Sequence, residues 1–139
     1  MSEAISFRID KERGVLVIRL TDDADAEDFL RRYRALLDSG EVDPSCRILT
    51  DLRALTSNPL EWEGLRGAAA ISRDFRARLD ADAPTPRTAI VVSSDLTFGF
   101  ARQYTHMAQG NRSDIELFRD VAGACEWVGL DEAFLDAQE

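Results

Sequence analysis

Thr88-Ala89-Ile90-Val91-Val92 runs directly into Ser93-Ser94-Asp95, and the reading of this junction decides the fold. A strand with one wet face alternates apolar and polar residues. This run does not alternate, as expected for a strand covered on both faces. Ser93-Ser94-Asp95 ends the strand and supplies oxygens that cap a helix from about Leu96 to Gln109, closed by Gly110.

The same grammar extends in both directions. Upstream, Arg47 to Leu52 is short, apolar and β-branched enough for a strand. Asn58-Pro59-Leu60-Glu61 announces a helix, with Asn58 as cap, Pro59 in the first position and Glu61 completing a capping box. Leu65, Ala68, Ala69, Ser72, Phe75 and Leu79 mark its inward face, and Pro84 and Pro86 lie beyond its end. Ile5, Phe7 and Ile9 alternate with Ser6, Arg8 and Asp10, a half-buried strand. Gly14 allows a turn into Val15 to Leu20, making an antiparallel hairpin. A helix follows on the stripe Ala26, Phe29, Leu30, Tyr33, Leu36 and Leu37, with Asp22, Asp23 and Asp25 at its positive end and Gly40 after it. Downstream, Ile115 to Phe118 reads as a fifth strand, Asp120 caps a helix through Trp127, and Asp131 to Gln138 adds a helical turn. Ala124, Cys125 and Val128 face inward there. The order β-β-α-β-α-β-α-β-α predicts one α/β domain over residues 1–139. Its single mixed five-stranded sheet begins with a hairpin and continues in parallel βαβ units.

Composition narrows the partners. The 139 residues carry 17 cationic against 26 acidic side chains, a net charge of −9. Binding a nucleic acid backbone or an anionic membrane needs clustered cations, so neither is expected. The apolar runs are too short for a membrane helix, and Met1 to Asp10 lacks the features of a secretory signal, so a cytoplasmic setting is expected. Cys46 and Cys125 form neither a CxxC pair nor a ligand cluster and read as buried free thiols.

Three stretches carry a family resemblance: Ile48-Leu49-Thr50-Asp51-Leu52-Arg53, Phe98-Gly99-Phe100-Ala101-Arg102-Gln103-Tyr104, and Glu116-Leu117-Phe118-Arg119-Asp120 followed by Ala124 and Trp127. With the element order, they resemble the STAS domain of bacterial anti-sigma-factor antagonists, in its divergent SpoIIAA-like and Sec14-like branch. The resemblance implies a non-enzymatic regulatory module that works through protein contacts. Family members are switched by phosphorylating a hydroxyl near the start of the helix after the third strand. Thr56 and Ser57 are the hydroxyls in that region. The family's Asp-Ser-Ser/Thr-Gly pattern is missing, and Pro59, Leu60 and Glu61 occupy the start of the helix instead.

Candidate residues gather at the carboxyl ends of the parallel strands, where ligands collect in open α/β sheets. Asp51, Arg53, Ser93, Ser94, Asp95 and Arg102 are placed to line a polar crevice. The simpler role for Asp51 is to tie its own loop, and for the serines to cap a helix. Phe98, Phe100 and Tyr104 flank Gly99 and offer an apolar surface, and Gly99 itself costs stability unless something packs on it. His106 has no nucleophile or acid at catalytic spacing, and no metal or cofactor motif is present. The leading expectation is a contact surface formed by residues 51–58 and 93–102, binding a protein partner. The second is a carrier or sensor of a small apolar or acidic molecule, with a pocket between the third helix and the sheet lined by Phe98, Phe100 and Tyr104. The hairpin's open edge suits a homodimer.

Overall fold

The computed structural model describes residues 3–137. Its elements are β1 (Ile5–Asp10), β2 (Val15–Leu20), α1 (Ala26–Asp38), β3 (Arg47–Asp51), α2 (Glu61–Arg76), β4 (Arg87–Val91), α3 (Asp95–Met107), β5 (Asp114–Phe118), α4 (Val121–Trp127) and α5 (Phe134–Ala137). They build one five-stranded sheet in the order β1-β2-β3-β4-β5. β1 pairs antiparallel with β2, opposing Phe7 to Ile18, and every later pairing is parallel. Gly14 turns the hairpin at φ +67°, and Gly40 follows α1 at φ +84°.

The three parallel crossovers all step in the same direction across the sheet. Right-handed connections then require α1, α2 and α3 to lie on one face, and they do. Phe29, Tyr33 and Leu37 of α1 and Leu65, Ala68, Ile71 and Phe75 of α2 cover Leu16, Ile18 and Ile48. Ala101 of α3 covers Ile90 and Val92. Phe7 reaches across from β1 to stack on Phe29 and Tyr33, with ring centroids 5.7 and 6.0 Å away. The opposite face is left to the chain after β5. Ala124 and Cys125 of α4, with Phe134 and Leu135, cover Val15, Val17, Leu49, Ala89 and Val91. This double cover is why β2 and β4 lack alternation. Gly67 allows α1 and α2 to pack closely, since an added Cβ would lie 2.8 Å from Leu30 Cδ1 of α1.

One expected helix start is corrected. α2 begins at Glu61, its N-terminal flank is Leu60 in helical conformation, and no side chain caps it. The Asn58 carbonyl accepts from the Glu61 N–H at 3.2 Å, closing a turn rather than a capping box, and Glu61 takes a left-handed φ of +57°. The helix also stops at Arg76, so Leu79 lies beyond it, half-buried. Asp25, Ser94 and Asp120 do cap α1, α3 and α4, accepting from Asp28, Thr97 and Gly123 N–H. Of the expected C-terminal turn, Phe134–Ala137 is helical and Gln138 lies outside the described residues. Neither Cys46 nor Cys125 forms a disulfide, and both are buried. Among the described residues, no helix is long and apolar enough to cross a membrane, and no cluster of His, Cys, Asp or Glu could hold a metal ion.

Candidate functional site

Alternation along β3 divides the expected site in two. Leu49 and Asp51 point to the face covered by α4, whereas Ile48 and Thr50 point to the face covered by α1–α3. Asp51 is therefore buried beside the C-terminal segment. It accepts from Arg19 Nε at 3.1 Å, from Arg53 Nε and Nη2 at 2.9 Å each, and from the Arg53 backbone N–H. Arg19 also donates to the Leu135 carbonyl at 2.7 Å. Burial works to raise the Asp51 pKa, but its bonds to Arg53 and the charges of Arg53 and Arg19 hold it below the usual carboxylate range. The residue ties down its loop and clasps the C-terminal segment.

Its neighbours are likewise committed. Ser93 donates to the Arg53 carbonyl at 2.7 Å, and Thr97 donates to the Leu55 carbonyl at 3.1 Å, so residues 51–58 and 93–102 are joined as expected. Asp95 pairs with Arg119 at 2.7 Å, and that guanidinium lies 4.5 Å above the Phe98 ring. Arg102 is exposed and does not join Asp51 and Arg53, so the expected polar crevice does not form. Nothing packs within 4 Å of a Cβ placed on Gly99, so the cost of a glycine in the helix is not offset there. His106 is exposed in the last turn of α3.

Thr56 and Ser57 meet a partner that spacing did not reveal. Asp22, 34 residues before Thr56, accepts from Thr56 N–H at 2.9 Å, Thr56 Oγ1 at 2.5 Å, Ser57 N–H at 3.1 Å and Ser57 Oγ at 2.9 Å. The Thr56 hydroxyl, followed by its N–H and the Ser57 hydroxyl, lowers the Asp22 pKa to about 2. A phosphate on either hydroxyl would meet this carboxylate head-on.

The other face of the sheet holds a cavity of about 80 Å³ between the strands and α1, α2 and α3. Its walls are apolar, including Ile18, Ile48, Leu55, Leu65, Ile90 and Ala101, and Tyr104 and Phe100 line it as expected. Phe98 does not. The exposed Ser57 and the half-buried Asn58, Pro59 and Phe100 form its rim at the strand ends. Trp62, 45% exposed, packs edge-to-face on Phe100 at 6.3 Å beside that rim. Deeper in, polar groups replace the apolar wall. The Ser72 hydroxyl faces Tyr33 and Tyr104, and burial pushes both phenols up. Thr88 and Ser113, whose hydroxyls lie 2.9 Å apart, close the wall there.

The small residues of α2 explain the empty space. Ala68 and Ser72, four residues apart on one face, both line it and bring little bulk, and the next position in that row is Arg76. Reading the row Ala68-Ser72-Arg76 as a single inward line is the signal that would have located the cavity from sequence. Compared with known families, with curated proteins and with solved structures, the chain matches none.

Proposed function

We propose that the protein binds a small, largely apolar molecule between its sheet and α1–α3, as a carrier or sensor without chemistry of its own. The cavity carries this reading. Protein interiors hold few voids larger than a water molecule. One of about 80 Å³ with an open rim leaves apolar wall facing water, which carries a free-energy cost. An occupant would offset that cost. An apolar cavity of about 150 Å³ accepts a benzene ring, so this one suits about three or four carbons. Of the residues expected to make a polar crevice, Asp51, Arg53, Ser93, Ser94 and Asp95 are instead spent on internal bonds, which argues against the strand ends as an open polar site.

Native mass spectrometry of freshly purified protein tests the proposal, together with amide NMR under xenon. A co-purified small mass, or xenon shifts confined to the lining residues and abolished by Ala68→Leu, is expected. A bare chain with unmoved lining amides would sink the reading.

A second reading, a cytoplasmic STAS-like contact module, draws on Trp62 and Leu96, exposed by 45% and 54% at the starts of α2 and α3. With Arg102 they edge the surface where residues 51–58 and 93–102 meet. Arg102→Glu should leave the thermal melt unchanged while weakening partner capture in a pull-down. Unchanged capture removes this surface.

A further inference from the structure

Among the described residues, three buried side-chain polar atoms have no hydrogen-bond partner: Trp127 Nε1 and two nitrogens of Arg76, Nε and Nη2. Arg76 is 0% exposed. Its Nη1 donates to the carbonyls of Pro44 and Cys46 at 2.6 and 2.7 Å, and no carboxylate among the described residues pairs with it. A cation in a protein interior is ordinarily matched by an anion, because an unmatched one forfeits its hydration for nothing. The groups that feel its charge are Cys46, Tyr33 and Tyr104. The two tyrosines face Ser72 at the deep end of the cavity, and Arg76 follows Ser72 by one helical turn.

We propose that the cavity takes a short-chain carboxylate, its charged end among the Tyr33, Ser72 and Tyr104 hydroxyls with the Arg76 guanidinium behind them. The proposal rests on the cavity reading above and adds the chemical class of the occupant. The three hydroxyls line the cavity and give a carboxylate donors on leaving water, while Arg76, buried and outside the lining, supplies positive charge behind them. The apolar walls toward Leu55 and Phe100 take its carbons. The volume sets the length at about four carbons.

Butyrate and butyramide, alike in shape and different in charge, are titrated into the intact protein by NMR. Lining amides and the Arg76 Nε–Hε signal are followed together. Butyrate is expected to bind roughly tenfold or more tighter than butyramide, as charge-assisted hydrogen bonds require. It should move the Arg76 signal, and Arg76→Gln should bring the two affinities level. Should that variant not fold, the wild-type comparison decides alone. Equal binding of the two compounds, or butyrate binding that leaves the Arg76 signal unmoved, overturns this inference while the cavity reading stands. Binding of neither compound, with no xenon shift, overturns both.

Discussion

At the scale of single residues, two glycine-related positions are out of balance with their surroundings. Gly99 sits inside α3, exposed, with nothing near an added Cβ. Gly99→Ala should raise stability by about 0.5–1 kcal/mol, read from denaturant melts. Glu61 is the reverse case, a non-glycine residue held at φ +57°. Glu61→Gly should stabilise by up to about 1 kcal/mol, and a loss would mean the side chain is needed there. Asp22 ties its loop to Thr56 and Ser57 through a carboxyl whose pKa falls from 3.8 to about 2 on folding. A group depressed in this way stabilises fully above its unfolded value and loses that contribution as pH falls through the folded one. The melting difference between wild type and Asp22→Ala should therefore be constant above about pH 4 and shrink toward pH 2. Asp51 was legible in the sequence as a loop-tying residue at a strand end, but its face was not. Strand alternation sends it away from the cavity and sends Thr50 toward it, and only the register decides which.

At the scale of elements, the caps separate what local chemistry determines from what packing overrides. Ser94 accepts from Thr97 N–H at 3.1 Å, so Ser94→Ala should cost about 1 kcal/mol. Asn58 makes no cap, and Asn58→Ala should cost only a few tenths in the same melts. Both residues have good cap chemistry in the sequence. The difference arises because the Asp22 clamp holds residues 56 and 57 and delivers the chain to α2 through a turn. That contact spans 34 residues, beyond the reach of any local pattern. The cavity escaped for a similar reason. Ser72 was readable as an inward residue, but that space remained beside it depends on small residues in α2 meeting the sheet.

At the scale of the molecule, the α/β class and mixed five-stranded sheet follow from the unalternating strands and the helical stripes between them, both visible in sequence. The division of helices between faces follows from the strand order. Nothing local in β2 or β4 says which helix lies above and which below. The second face depends on a short tail, where Phe134 and Leu135 are buried against β2, β3 and β4. Burying two such side chains is worth roughly 3–6 kcal/mol, a large share of a typical domain's total of about 5–15. A chain ending at Gly129 should lose its cooperative thermal transition, or melt far lower, by circular dichroism. An unchanged melt would show that α5 is dispensable.

The sequential strand order also bears on how the protein is made. Each strand pairs with the one before it, so a nascent polypeptide leaving the ribosome never has to reserve a slot for a segment not yet synthesised. The ribbon of β1 and β2 can seed the layer and each later strand–helix unit can dock on a finished neighbour. The underside alone stays bare until the segment after β5 has been made.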